Sequence, residues 1–437
     1  MADAQAPLAG MLVVEMALAV QGPAAALYLS DMGATVVKVE PPLGDPSRYS
    51  RGRGNETPAG TMGPQYAAVN RGKRSVCVDL ETELGINALH ELLARADVLL
   101  TNYREAALVK LGLGYADIQA RYPDLVYASV NGFGPEGEDA DKAMLDGAAI
   151  ARGGLAWMTG NEEQAPCVPG AIVADTAGAM HLALGVMTAL LARERGAGGQ
   201  RVQTSALGTQ LWLQQWELTH VAVTGAELTR HGSHHPIIRG PYGIYSTLDG
   251  SAILLAHTMA QEAWDAFCVF ADIAELAFDP RLQTPGQRLG EGLSEADSEE
   301  FRAKLRTAFA AKPAMVWDEF LRTQPEIIWE RLRSWHEVLE DPQSKANGYF
   351  TDVIIPDLGV FKTVGNLVTL SKTPGCARSD PPQLGEANEE ILAQVGLDAD
   401  QIALATAHAD EVRQQALAEL LAVMQVAEIH SEEGHDA

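Results

Sequence analysis

Residues 12–39, LVVEMALAVQGPAAALYLSDMGATVVKV, decide the fold of this chain. The first five, Leu12–Met16, have the apolar pattern of a buried strand. A turn at 21–23 then leads into a helical pattern over 24–32, and a second strand follows at 35–39. A strand, helix and strand in this length predict two parallel strands joined by a right-handed crossover.

The same alternation continues along the chain. It predicts strands at 75–80, 98–100, 125–130 and 202–205, and helices at 84–94, 175–195 and 209–223. We therefore predict a Rossmann-like, doubly wound α/β domain with a smaller α+β domain. The predicted division is 1–224 for the first part of the large domain, 225–335 for a linker and the small domain, and 336–437 for a return segment that ends in a helix.

Composition excludes several classes of function. The 437 residues contain 58 acidic and 32 basic side chains, a net charge of −26, which argues against binding nucleic acid or anionic lipid. The four cysteines form no CxxC pair, so neither a metal site nor a disulfide framework is predicted. The start of the chain lacks a basic signal-peptide region, and no run of eighteen uncharged apolar residues occurs. We predict a cytoplasmic protein.

Asp175 precedes a long apolar helical pattern and allows two interpretations. An aspartate at a helix N-terminus ordinarily caps free N–H groups. Alternatively, a strand-to-helix junction of an α/β sheet faces the ligand crevice, where a carboxylate can react. Spacing favours capping but does not choose between them.

The segment Asn70–Ser75, NRGKRS, is a second candidate, with three cations in four residues of an acidic chain. It is either a solvated turn or a phosphate-binding loop. His231, His234 and His235 fall in a Gly- and Pro-containing stretch that favours a polar loop over a metal site. The chain has no Gly-x-Ser-x-Gly elbow, and no Gly-x-Gly-x-x-Gly follows the first strand.

Seven segments in order resemble the class III CoA-transferases, the family of formyl-CoA:oxalate CoA-transferase, carnitine CoA-transferase and α-methylacyl-CoA racemase. They are PLAG at 7–10 with QGP at 21–23, DMGA at 31–34 with KVEPPLGDP at 38–46, NRGKRS at 70–75, DVLLTNY at 97–103, SVNGFG at 129–134, VAD at 173–175 with Gly185 and GQRV at 199–202, and PPQLGE at 381–386. The family's glycine-rich loop has no counterpart; IRGPYG at 238–243 occupies that region. This departure argues against oxalate or formate as the substrate.

The resemblance implies that Asp175 is a nucleophile that forms aspartyl anhydride and aspartyl-CoA thioester intermediates. It implies CoA as substrate and product, no permanently bound cofactor, and an interlocked homodimer. The partners it implies are an acyl-CoA and a carboxylic acid. The implied CoA contacts are Gln21, Lys73, Arg74, Ser75, Asn102, Tyr103 and Lys110.

Racemases of the family carry a histidine before the aspartate that corresponds to Asp146, and Leu145 stands there instead. Because leucine cannot donate or accept a proton, this departure argues against an α-methylacyl-CoA epimerase. The epimerase stays an alternative, together with intramolecular CoA transfer or a lyase. A non-catalytic acyl-CoA-binding protein is a further alternative. Trp212, Trp216, Tyr242 and Tyr245 are either core residues or the lining of an acyl pocket.

Overall fold

The computed structural model describes residues 6–52, 56–58, 60–375, 377 and 380–433; within 417–433, side chains are described only for Ala418. The strands are β1 Leu12–Met16, β2 Thr35–Glu40, β3 Arg74–Cys77, β4 Val98–Thr101, β5 Val126–Asn131, β6 Arg201–Ser205, β7 Gly243–Ser246, β8 Ala252–Thr258, β9 Ile327–Arg331, β10 Phe350–Ile355 and β11 Gly359–Val364. The first six form one parallel sheet in the order β3-β2-β1-β4-β5-β6.

The helices between and after these strands vary from single turns to one of 35 residues. They are α1 Gln21–Asp31, α2 Pro64–Asn70, α3 Glu83–Leu93, α4 Glu105–Lys110, α5 Tyr115–Arg121, α6 Asp146–Arg152, α7 Leu155–Met158, α8 Ala174–Ala192, α9 Ala206–Leu213, α10 Gln215–Thr224, α11 Gln261–Phe270, α12 Pro285–Arg288, α13 Glu295–Ala310, α14 Ala314–Leu321, α15 Trp335–Leu339, α16 Pro342–Ala346, α17 Asn388–Gln394 and α18 Ala399–Glu433.

The parallel sheet is covered on both faces because its strands are apolar at successive positions. Along β1, Val13 belongs to one core and Val14 to the other. The Val13 core contains side chains of α1 and α8, and the Val14 core contains side chains of α3 and α17. The predicted Rossmann-like α/β fold is thus confirmed. The strands are added in one direction from β1 to β3 and in the opposite direction from β4 to β6, as in a doubly wound sheet, so the order switches between β1 and β4.

Contacts divide the chain into two compact units. The first comprises Met1–Ala149, Ile172–Leu213 and Pro342–Ala437, and the second comprises Ile150–Ala171 and Gln214–Asp341. The second unit has a three-stranded antiparallel sheet, β7-β8-β9, packed with α11, α13 and α14 around a core rich in aromatic side chains. The predicted division into 1–224, 225–335 and 336–437 stays a prediction about folding domains.

One predicted helix needs adjustment, and a second helix is unusually apolar. The helix predicted at 209–223 is two helices, α9 and α10, because Gln214 leaves helical geometry with φ −112° and ψ 20°. Together with the turn that follows it, α8 is long and apolar enough to span a membrane by composition alone. Half of that segment is buried, however, and Leu182 and Val186 lie in the core on one face of the sheet.

Candidate active site

A cleft of about 340 Å³ opens at the carboxyl ends of the parallel strands, where the sheet order reverses. Loops that leave adjacent strands in opposite directions create a crevice at such a switch point. The cleft is lined by residues 18–21 after β1, 102–105 after β4, 129–132 around the end of β5, 135 and 140–145, together with Asp175, Arg201 and Gln203.

Asp175 lies in the first turn of α8 and is partly buried. It does not cap the helix. The backbone N–H groups of Ala174 and Asp175 donate to Asp146 Oδ1 at 2.7 and 3.0 Å. Among the described residues, none donates a hydrogen bond to the Asp175 carboxylate. Burial, and then the nearby charge of Asp146, raise the pKa of Asp175 to about 6.

The loop after β1 is fixed by side chains from elsewhere in the fold. Leu18 N–H donates to Asn102 Oδ1 (2.9 Å), and Asn102 Nδ2 donates back to Leu18 O (2.8 Å). Ala19 has a left-handed backbone with φ 63°, and its N–H donates to Asp45 Oδ1 (3.1 Å). A non-glycine residue in this conformation costs about 1 kcal/mol, which these three hydrogen bonds offset.

Gln21 begins α1 and brings a polar group to this cleft. Its side chain is 4% exposed, and its Nε2 has no hydrogen-bond partner among the described residues. The amide lies against Gly178, one turn after Asp175, where a Cβ atom would be 2.2 Å from Gln21 Nε2. Only glycine at 178 leaves room for this amide. The unpaired Nε2 of Gln21 and the carboxylate of Asp175 therefore both line the cleft.

A buried ion-pair network lies beside the loop after β1. Glu15 on β1 binds Lys38 Nζ through Oε1 at 2.9 Å and Lys73 Nζ through Oε2 at 2.7 Å. Lys38 also lies 3.0 Å from Asp45 Oδ2. Burial opposes the charged form of Lys38, but the charges of Glu15, Asp45 and Glu40 outweigh it and raise its pKa. Burial lowers the pKa of Lys73 to about 8.

The network extends through Glu40 at the end of β2. Glu40 accepts from Arg48 Nε (2.8 Å) and Nη2 (2.6 Å) and from Ser75 Oγ (2.6 Å). Burial raises the pKa of Glu40, but the hydrogen bonds and charge of Arg48 outweigh it and hold that pKa below its usual value. Neighbouring strands therefore bring three cationic and three acidic side chains together in the interior.

The geometry at the switch point agrees with a family assignment from sequence. A sequence model described as CoA-transferase family III matches residues 8–388. The chain belongs to this family. It is therefore a class III CoA-transferase, an enzyme whose substrates are CoA thioesters.

Known relatives of this CoA-transferase match over nearly their whole length. The succinyl-CoA–D-citramalate CoA-transferase of Chloroflexus aurantiacus is 32% identical over 407 residues, 91% of this chain and 96% of that protein. The succinate–glutarate CoA-transferase of Agrobacterium fabrum is 31% identical, covering 90% of this chain and 97% of that protein. A crystal structure of a CAIB/BAIF family protein from Brucella suis is 28% identical with a TM-score of 0.75, covering 90% of this chain and 100% of that chain.

The predicted CoA contacts of the CoA-transferase fall into two groups in space. Gln21, Asn102 and Tyr103 line the cleft together with Asp175. Burial raises the pKa of Tyr103 to about 12, which keeps its phenol protonated at neutral pH.

The other group lies elsewhere. Lys73, Arg74 and Ser75 border a separate depression, where Arg74 pairs with Glu390. Lys110 is the exposed last residue of α4.

The internal partners of Lys73 revise the interpretation of the NRGKRS segment. Lys73 Nζ also donates to Pro23 O and Asn70 Oδ1, both at 2.8 Å, so its charge is used inside the protein. A contact with a CoA phosphate would break these bonds. Sequence could not show this, because the partner Glu15 is 58 residues away and reaches Lys73 only through the tertiary fold. The CoA roles of Lys73, Arg74, Ser75 and Lys110 stay predictions that this geometry does not favour.

Two basic residues in the cleft were not selected from the sequence. Arg104 follows the predicted contacts Asn102 and Tyr103 directly, and no acidic partner is recorded for it in the part of the chain that the structure describes. Lys142 also lines the cleft, with Nζ 5.5 Å from the centre of the Phe133 ring and 3.7 Å from Asp139 Oδ1. Their position in the cleft, rather than local charge density, makes them the better candidates for an anionic ligand.

The aromatic and histidine candidates have separate surroundings. Tyr245 is fully buried and stacks on Phe309 with ring centres 5.0 Å apart, so it is a core residue. Trp216 stacks on His235 at 5.0 Å, and His235 Nε2 lies 3.2 Å from Glu217 Oε1. Across the described residues, no group of three or more His, Cys, Asp or Glu side chains is arranged to hold a metal ion.

Proposed function

We propose that this enzyme transfers CoA from an acyl-CoA to a free carboxylic acid through covalent intermediates on Asp175. The observation that carries the proposal is a carboxylate at the switch-point cleft that receives no hydrogen bond from any described residue. Its pKa of about 6 leaves it mostly ionised at pH 7, and an ionised carboxylate with free lone pairs is the form that attacks a thioester.

In the first half of the reaction, Asp175 Oδ attacks the thioester carbonyl of the donor. The C–S bond breaks, CoA leaves as a thiolate, and a mixed anhydride remains on Asp175. The thiolate then attacks the aspartyl carbonyl, which releases the donor acid as a carboxylate and leaves an aspartyl-CoA thioester. The Gln21 amide is the proposed hydrogen-bond donor to the oxyanions of these steps, because its Nε2 is buried without a partner.

In the second half, the acceptor carboxylate attacks the aspartyl thioester and displaces the thiolate. The thiolate attacks the acceptor's carbonyl in the new anhydride, which yields the product acyl-CoA and restores the Asp175 carboxylate. One thioester replaces another of similar energy, so no ATP is needed. Exclusion of water protects both intermediates from hydrolysis.

An epimerase is less well supported. That reaction requires a proton-transfer group on each face of the α-carbon. Leu145, which stands where racemases of the family have histidine, lines the cleft and is 81% exposed. It cannot donate or accept a proton. Deuterium uptake at the α-carbon without CoA exchange between acids would favour the epimerase.

Trapping of the covalent intermediate tests the proposal. We expect that incubation with acyl-CoA and then hydroxylamine converts the Asp175 carboxylate to a hydroxamate, because anhydride and thioester are both activated acyl groups. Peptide mass spectrometry locates the modification, and a sample without acyl-CoA is the control. A modification on another residue, or none under turnover, would exclude Asp175 as the carrier. The first substrate panel is succinyl-CoA with glutarate and citramalate, on which the relatives' names are based.

We further propose that the enzyme is a homodimer that acts in the cytoplasm. The resemblance to class III CoA-transferases supports the dimer, as do exposed apolar side chains on α8 and α9, among them Met180, Leu184, Leu191 and Trp212. Such side chains in a group mark an interaction surface. Light scattering is expected to give twice the mass of one chain, and a particle of single-chain mass at micromolar concentration would contradict the dimer.

A further inference from the structure

Two carboxylates lie at the N-terminus of α8, that of Asp175 in its first turn and that of Asp146 from α6. Val173, the residue before the helix, offers no side-chain cap. Asp146, the first residue of α6, supplies the cap from 28 and 29 positions away, through Oδ1 to the N–H groups of Ala174 and Asp175. In the described part of the chain, Asp175 lines the cleft and Asp146 does not.

We propose that Asp146 is a positioning residue for the transfer reaction, because it caps α8 in place of Asp175 and sets a second negative charge beside the attacking carboxylate. The inference rests on the proposed function of Asp175. Two free N–H groups at a helix start would otherwise attract the Asp175 side chain. Since Asp146 occupies them, the Asp175 carboxylate is left free to react.

The negative charge of Asp146, like its hydrogen bonds to the helix start, favours the reaction of Asp175. A helix N-terminus alone lowers the pKa of a nearby carboxyl group. Burial and the Asp146 charge instead raise the pKa of Asp175 to about 6. A more basic carboxylate is a stronger nucleophile, and a value near 6 still leaves it ionised at neutral pH. After burial, the charge of Asp146 is the second contribution to the pH below which Asp175 stops attacking.

Other charged groups near α8 are mostly paired. On α1, Asp31 pairs with Arg71, and on β6, Arg201 pairs with Glu105 at 2.6 Å. α9 contains no titratable side chain. The other titratable groups that line the cleft or lie on α8 are Tyr103, Arg104, Asp141, Lys142 and His181. Among the side chains that the structure describes, only Asp146 hydrogen-bonds to the backbone N–H of Asp175.

The test separates the cap from the charge. Asp146→Asn keeps an oxygen that accepts the two N–H groups but removes the charge, whereas Asp146→Ala removes both. The matched control is Asp117→Asn, an exposed carboxylate in the first turn of α5 that lies outside the cleft. For each purified full-length variant, kcat/KM for an acyl-CoA is measured between pH 4.5 and 9.

We expect the wild-type value to fall below about pH 6. In Asp146→Asn this acid limb moves to lower pH by about half a unit or more, and the plateau decreases about two- to tenfold as the nucleophile becomes less basic. KM stays within about twofold, because Asp146 does not line the cleft. Asp146→Ala has a kcat/KM more than about tenfold below that of the wild type at every pH, and Asp117→Asn has the wild-type profile.

Three outcomes would overturn the inference. In the first, the acid limb of Asp146→Asn stays at the pH of the wild type. In the second, the wild-type kcat/KM does not fall between pH 7 and pH 5. In the third, Asp146→Asn fails to fold, although a neutral cap that relieves repulsion should preserve the helix. Hydroxylamine trapping on the wild type separates the two proposals. A hydroxamate at Asp175 with an unmoved limb rejects only the role of Asp146, whereas absence of the hydroxamate rejects the role of Asp175.

Discussion

Asp175→Asn is expected to lower the rate of CoA transfer by about 10⁴-fold or more while the KM for acyl-CoA changes little. The amide has the shape of the carboxylate but cannot form an anhydride, so the covalent route is lost and substrate binding is kept. CoA exchange between labelled acids, followed by mass spectrometry, measures the loss. Asp117→Asn serves again as the control for removal of a surface charge. Near-normal transfer by Asp175→Asn would remove Asp175 from the mechanism.

Stability measurements show whether Asp175→Asn is folded. The pKa of Asp175 is raised from 3.8 to about 6, so the fold disfavours its charged form. The resulting cost to stability is present above pH 6, decreases as pH falls, and vanishes below pH 3.8. The full shift corresponds to about 3 kcal/mol, which solvent screening of this partly exposed group reduces to about 1 kcal/mol.

Asp175→Asn should therefore unfold about 1–2 °C above the wild type at pH 8 and at nearly the same temperature at pH 4. A variant less stable than the wild type at pH 8 would indicate that Asp175 has a structural role, and its loss of activity would then need a different explanation.

Lys73→Glu is expected to reduce the free energy of unfolding by at least about 3–5 kcal/mol, enough to threaten the fold. The new carboxylate would lie in the interior beside Glu15, which would lose one of its two cationic partners. Denaturant unfolding and soluble yield measure the effect. Lys73→Met is the milder version, because it removes the charge without adding a second carboxylate.

Arg74→Met is the matched control for this prediction. Arg74 is the adjacent residue, its side chain is about one-third exposed, and it pairs with Glu390 at the surface. Surface pairs contribute about 0–1 kcal/mol, so Arg74→Met should unfold almost like the wild type. The phosphate-loop interpretation of the sequence predicts a different result for Lys73→Glu, namely normal stability with a raised KM for CoA esters. That result would show that Lys73 faces CoA rather than Glu15.

Local patterns predicted the elements of the large unit well. The strand at Leu12–Met16 is where its apolar run indicated, and the predicted strands at 35–39, 98–100 and 125–130 agree with β2, β4 and β5 within about one residue. Helix limits were less accurate. α1 begins at Gln21, three residues before the predicted start, because Pro23 fits within the first turn of a helix.

The candidate site was only partly predictable. Asp175, Gln21, Asn102 and Tyr103 were selected from motif resemblance, and the structure places all four around one cleft. Arg104 and Lys142 were missed, because single basic residues in a sequence give no signal that distinguishes a cleft from open surface.

The sequence by itself determined the alternation of strands and helices, the α/β class and the family, since each depends on local apolar periodicity or on short ordered motifs. Only the tertiary structure decided which charges are internal and which carboxylate is free. Glu15 neutralises Lys73 because β1 and β3 flank β2, and Asp146 caps α8 because the fold brings it there from 28 residues away. A charged side chain takes its role from the partner that the fold places within hydrogen-bond distance, and chain order does not specify that partner.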